Sequence, residues 1–215
     1  MTDALVAAIT GGDGDAVREM VRADPALASA RDSAGLPVIL LALFHQQRAA
    51  AEVLLEAEPE LGVLEAAAAG RAERLRELLD ADPEARHART PEGFTPLGVA
   101  AFLGGPEVVR VLLEHGADPD DDADNQFGVR PVNAAAAARD HETMRLLLEA
   151  GADANARQQG GLTPLHSAAH TDDAEMAKLL LAHGADPAIA ADDGRDSARM
   201  AADDGSARVI ELLGG

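Results

Sequence analysis

His170 is followed 33 residues later by Asp203 and then by Asp204. A histidine held against a carboxylate can take up and release a proton near neutral pH, because imidazole titrates there. Such a pair can meet only if the chain returns to the same face at that interval, and a glycine-led motif does so. It reads GFTPLGVAAFLGG from Gly93, GVRPVNAAAAARD from Gly128, GLTPLHSAAHTDD from Gly161 and GRDSARMAADDG from Gly194, at spacings of 33 to 35 residues. Each copy runs into an aliphatic stretch, VVRVLLEHGADP, TMRLLLEAGADA, MAKLLLAHGADP and VIELL. Self-similarity at this period marks a solenoid, in which each unit completes its core against its neighbours. Stacked units lie about one helix diameter apart, roughly 10 Å. His170 could then face Asp203 or Asp204 as a general acid–base pair. A surface hydrogen bond would use the same residues, and no nucleophile or oxyanion motif accompanies them.

Other candidate chemistry is sparse. Asp118, Asp120, Asp121, Asp122 and Asp124 crowd one segment, and oxygen-rich loops can bind calcium. Yet Ala123 stands where the turn glycine of a calcium loop would be, and no glutamate follows at the twelfth position. A solvated finger facing a basic partner fits better, and no metal is expected. The remaining histidines lack metal-ligand spacing such as HExxH, and no Walker loop, GxSxG elbow or dinucleotide fingerprint occurs. No cofactor is expected. The absence of cysteine excludes disulfides and thiol catalysis.

The four phenylalanines carry a sharper signal. Aligned copies put Thr10, Phe44, Ala68, Phe102, Ala137, His170 and Asp203 in one row on the inner face of the first helices. Phe94 and Phe127 fall at finger tips beside Gly93 and Gly128. Exposed aromatics grouped in this way mark interfaces. The competing reading is that the rings fold back into space left by small alanines. The candidate partner-binding set is therefore Phe44, Phe94, Phe102, Phe127 and His170, with Asn125, Gln126, Gln158 and Gln159 on the fingers.

The elements that position these residues follow from the period. Weaker copies align upstream, placing Gly70 on Gly104 and Asp24-Pro25 on Asp82-Pro83. Seven units result, at about 2–34, 35–58, 59–92, 93–127, 128–160, 161–193 and 194–215, forming one domain over 1–215. Each reads as a small Ala-rich helix, a turn, an aliphatic helix and a loop. Pro96, Pro131 and Pro164 suit a first helical turn, and Thr95 and Thr163 can cap it. Gly116, Gly151 and Gly184 suit helix termination, and the motif glycines suit the tip of a β-hairpin finger. The terminal units are atypical, as end caps must be.

At this point the chain resembles the ankyrin repeat family. The matching residues are the run from Gly161 to His166 with Ala168-Ala169, then Leu179-Leu180-Leu181 and Gly184-Ala185-Asp186. The resemblance implies an all-α solenoid of about seven helix-turn-helix units with short β-hairpin fingers. It also implies a structural hydrogen-bonding role for His166, and partners bound on the fingers and inner helices. Two departures stand out. The spacing between the second and third units falls to about 24 residues, leaving no room for a finger at Pro59, and the finger between Gly116 and Gly128 holds two extra residues.

Composition narrows the function. Residues are 47% hydrophobic, 26% charged and only 2% aromatic, and the formal net charge is -20. So acidic a surface argues against nucleic acid and anionic membranes, and suits a protein partner with a basic rim. The first residues lack a signal-peptide pattern, and no stretch is long and apolar enough to span a bilayer. A monomeric cytoplasmic protein is expected, and arginine-rich usage suggests a bacterial source. The leading reading is a protein-interaction scaffold rather than an enzyme. The alternative is a small-molecule-binding or catalytic groove around His170 and Asp203.

Overall fold

The computed structural model describes residues 1–123 and 127–214. Among them lie fourteen α-helices in seven hairpin pairs. The pairs are α1 (Thr2–Gly11) with α2 (Gly14–Ala23), α3 (Val38–Phe44) with α4 (Arg48–Glu56), and α5 (Val63–Ala68) with α6 (Ala72–Ala81). Then come α7 (Pro96–Val99) with α8 (Pro106–Glu114), α9 (Pro131–Ala138) with α10 (His141–Glu149), α11 (Pro164–His170) with α12 (Ala174–Ala182), and α13 (Ser197–Asp204) with α14 (Ala207–Leu213). Odd-numbered inner helices stack on one another, and even-numbered outer helices mostly do the same. Helices this short are not stable alone in water. Their order comes from stacking, which is why fully buried Leu75, Leu112, Leu147 and Leu180 recur on the outer helices and Ala67, Ala135, Ala169 and Ala201 on the inner ones.

Local chemistry starts these helices where the residue types dictate. Pro96, Pro131 and Pro164 occupy first turns, and the Thr95 hydroxyl accepts the Gly98 N–H at 2.8 Å. At Thr163 the hydroxyl lies 2.9 Å from His166 Nδ1. Asp13, Asp140 and Asp173 cap α2, α10 and α12. Helix α14 is capped from the neighbouring pair, with Asp172 Oδ1 accepting the N–H groups of Arg208 and Val209 at 3.0 and 3.1 Å.

Three details differ from the sequence expectation or refine it. The fingers are shorter than hairpin ladders. Among the described residues only the isolated bridges Arg31–Pro37 and Ala190–Asp196 form. Each finger is closed by a few main-chain hydrogen bonds, such as Asp32 N–H to Leu36 O with Gly35 N–H to Asp32 O, or Thr90 N–H to Phe94 O with Gly93 N–H to Thr90 O. Arms of so few residues have no length for a longer ladder. Next, the left-handed residue ending the fourth inner helix is Gly105 rather than Gly104. The interval from finger glycine to left-handed residue is eleven at Gly35–Gln46, Gly128–Arg139, Gly161–Asp172 and Gly194–Gly205, but twelve at Gly93–Gly105. The extra residue is absorbed by a π-helical segment, Ala100–Gly104, that continues α7. Last, residues 57–62 run from α4 to α5 without a finger, turning at Glu58, where φ is 51°.

The missing finger coincides with a seam. The apolar core divides into one cluster on α1 to α4, joined by Ala68 and Val99, and another on the later pairs. Outer helices α4 and α6 scarcely touch, unlike the other consecutive outer helices.

Asp173 is a buried carboxylate with several partners. Its side chain is 6% exposed, lies 3.0 Å from His141 Nε2, accepts from Arg139 Nε at 3.3 Å and caps α12 through the Met176 N–H. Burial alone would push its carboxyl up. The Met176 N–H, His141 and Arg139 together outweigh burial and hold it below the usual carboxylate range.

Two predictions follow from this packing. A methyl group on Gly104 would sit 2.0 Å from Ala67 O and 2.6 Å from Val108 Cγ2. Because the first neighbour is backbone, Gly104→Ala should destabilise the fold by about 1–3 kcal/mol in urea titration. Gly11→Ala, with nothing within 4 Å, should be neutral or stabilising. Asp173→Asn keeps a capping oxygen but loses the charge, and should cost about 1–3 kcal/mol at neutral pH. A carboxyl lowered in the folded state contributes fully above its unfolded value, about 3.9, and loses that contribution as pH falls through the lower folded value. The stability difference between wild type and Asp173→Asn should therefore be flat from neutral pH to about 5 and shrink in stronger acid, as measured by denaturation at each pH.

Candidate functional site

Loss of one finger opens a cavity of about 510 Å³ on the concave side. Leu36 and Asp32 reach it from the finger before α3, and Leu41, Phe44 and His45 from α3 and its end. Glu92 and Phe94 enter from the next finger present, and Val99 and Phe102 from α7 and its π-helical continuation. Val129, Asn133, Ala134, Ala137 and Gln158 close the far wall. Helix α5, which lies between, contributes no lining residue. Ala68 holds the inner-row position on α5, so no large side chain fills the hollow.

The phenylalanines divide into two kinds. Phe44 and Phe94 are half-buried and meet across the gap, with ring centroids 6.1 Å apart and planes tilted by 44°. They span two units in sequence, and only the missing finger lets them touch. Phe102 is 39% exposed beside them and Phe127 is 41% exposed farther along the finger row. Phe102 sits within the π-helical segment. Gln158 lines the cavity, and Gln159 donates its N–H to Phe127 O at 2.8 Å. Asn125 and Gln126, with Asp124, lie outside the described residues.

His170 lies elsewhere, at the mouth of a second hollow of about 570 Å³ also lined by Leu162, His166, Ser167, Thr171, Arg195 and Met200. Its Nδ1 is 2.8 Å from Asp204 Oδ2. Asp203, its expected row-mate, turns to Arg199 at 3.1 Å and to Arg195 at 3.9 Å. The structure therefore joins His170 to Asp204 and not to Asp203. His166 is buried in the same wall. Its Nδ1 lies 3.2 Å from the Thr163 N–H and so must accept, which leaves Nε2 to donate to Arg195 O at 3.1 Å. Burial pushes this imidazole down, so it is neutral at physiological pH and ties one unit to the next finger. His141 begins α10 and, while still exposed, meets Asp173.

Charges on the fingers are largely consumed within the row. Arg89 meets Asp121 at 2.8 Å, and Arg157 meets Asp192 at 3.2 Å on the following finger. Arg130 approaches both Asp120 and Asp153, and Asp120 Oδ1 accepts the Asp153 N–H. Arg31 occupies the same finger position as Arg89 and Arg157, but the finger it would reach is missing. It binds the buried Glu65 of α5 at 3.0 Å instead. Among the described residues no three histidine or acidic side chains gather as metal ligands, and no helix is long and apolar enough to cross a membrane.

Comparison with known proteins agrees with this architecture. Residues 92–125 match the ankyrin repeat model, and residues 132–214 match a model of three ankyrin repeat copies. A serine/threonine-protein kinase of Arabidopsis thaliana is 40% identical over 73 residues, which is 34% of this chain and 16% of the kinase. An ankyrin repeat domain-containing protein of Stachybotrys chartarum is 32% identical over 164 residues, 74% of this chain and 8% of that protein. The matched regions thus span only a small part of either relative. Together the two models cover more than half of the sequence and fall in phase on its helix pairs, and the chain belongs to the ankyrin repeat family.

Proposed function

We propose that the chain acts as a single-domain scaffold that binds a protein partner on its concave finger and inner-helix surface. Ankyrin repeats are protein–protein interaction modules. The observation that carries the finer reading is the placement of aromatics. A chain with only four phenylalanines sets three of them around one concave cavity and a fourth on the adjoining row. Aromatic side chains in partly enclosed hollows supply most of the energy at interfaces. The net charge of -20 supports a partner with a basic rim, drawn in by long-range attraction.

Affinity capture from the source cell, followed by titration of the captured protein, tests this surface. Phe102→Ala and Phe127→Ala each remove an exposed ring and should each weaken binding by more than about 1 kcal/mol. Phe94→Ala should weaken it comparably and also lower stability, because it loses its contact with Phe44. Lys178→Ala, on the outer helix α12, should leave affinity unchanged. Unaltered binding in both exposed-ring variants would sink the placement.

A second reading is favoured by one observation, the His170–Asp204 pair at the edge of a hollow. There His170 would serve as an acid–base group toward a small molecule. If so, His170→Ala should abolish a saturable ligand response that wild type and Phe102→Ala both retain. Indistinguishable profiles of wild type and His170→Ala across a small-molecule panel, by thermal shift, would leave this reading without support.

A further inference from the structure

The gap left by the missing finger sets carboxylates beside an apolar cavity whose lining holds no arginine or lysine, and breaks the main-chain tie between fingers. Several finger carboxylates meet arginines, Asp121 with Arg89, Asp192 with Arg157 and Asp193 with Arg195, while among the described residues Asp118 and Asp186 accept only main-chain N–H groups. At the gap, Asp32 accepts the N–H groups of Ala34 and Leu36 and forms no ion pair among the described residues. Its neighbour Arg31 is committed to Glu65 and to Gly35 O. The cavity beside it contains no arginine or lysine among its lining residues, while both Asp32 and Glu92 contribute to the wall. An anionic charge beside an apolar hollow attracts a cation more strongly than the same charge in open water. The faces of Phe44, Phe94 and Phe102 add to that preference, since aromatic faces attract cations.

The finger main chain limits how such a guest is held. Successive fingers are tied by a main-chain bond two residues before one tip glycine and one residue before the previous one, as in Gln159 N–H to Phe127 O and Asp192 N–H to Gly160 O. On the near side of the gap the corresponding acceptor is Ala34 O, which receives no hydrogen bond among the described residues. On the far side the corresponding donor position is Pro91, which has no N–H. A guest hairpin could pair on one side only, so a guest must be held chiefly by side chains.

We propose that this gap is the docking site for a partner segment that carries one large apolar side chain with an arginine or lysine close to it in sequence. The apolar group fills the hollow between the rings of Phe44, Phe94 and Phe102, the cation reaches Asp32, and Ala34 O takes a single main-chain N–H. This deepens, and rests on, the concave-face reading above.

The test is selection of a random peptide display library on the full chain, then titration of a synthesised representative peptide. Enriched sequences should pair Leu, Ile, Met or Phe with Arg or Lys. The representative should lose about tenfold or more in affinity with Phe102→Ala and with Asp32→Asn, and nothing with Glu175→Gln on the outer face. Asp32→Asn retains a side-chain oxygen for the Ala34 and Leu36 N–H groups, so the finger stays closed. Affinity should fall with salt in wild type and less steeply in Asp32→Asn. Peptides that need Phe102 but carry no cation, or that ignore Asp32→Asn, overturn the gap proposal and leave the concave-face reading standing. Peptides indifferent to Phe102 and Phe127 alike, or no enrichment at all, count against both.

Discussion

No helix pair in this chain can close its own core, and the structure depends on that constraint. Stacking requires the inner helices to approach until backbone meets backbone, as where Gly104 lies against the Ala67 carbonyl. Alanines such as Ala67, Ala135, Ala169 and Ala201 fill the tightest inner-helix positions, and large aliphatics on both helices of each pair fill the core between them. Inner helices bury aliphatics such as Leu40, Leu97 and Leu165 toward the core, while the inner-row residues Phe102 and His170 look out from the concave side. The exposure of Phe102 and His170 and the burial of Ala101 and Ala169 are two results of one packing rule.

Removal of one finger then acts through nearest neighbours. Arg89 and Arg157 reach forward from their fingers to the next unit. When the next finger is missing, Arg31 drops onto a carboxylate inside the fold, and Glu65 is buried because that cation is available. Two rings otherwise separated by a finger come into contact. The gap is thus a repacked surface with its own charge balance, stabilised by residues on both sides of it.

Much of this was legible in the residues. The period, the prolines of the first turns and the crowding of phenylalanines on one side all depend on spacing along the chain, and spacing is explicit in sequence. The parts that escaped depend on offsets of a single residue or on contacts across units. Gly104 and Gly105 are adjacent and chemically identical, so nothing in their types shows which one turns left-handed. Asp203 shares a row with His170, yet Asp204 meets it, because Arg199 lies one helical turn from Asp203 and claims it first. The capping of α14 by Asp172 joins groups 36 residues apart and has no local signature.

The divided core has a consequence for how order is distributed along the chain. In a one-dimensional array each interface is a separate free energy, and cooperativity extends only as far as the weakest one allows. The seam between α4 and α6 is such a point. It separates two helix pairs from five, so fluctuations on the shorter side need not propagate into the longer one. The cavity bridges that seam, with Phe44 on one side and Phe102 on the other. Anything bound there touches both blocks, and its binding free energy is added to the interface between them.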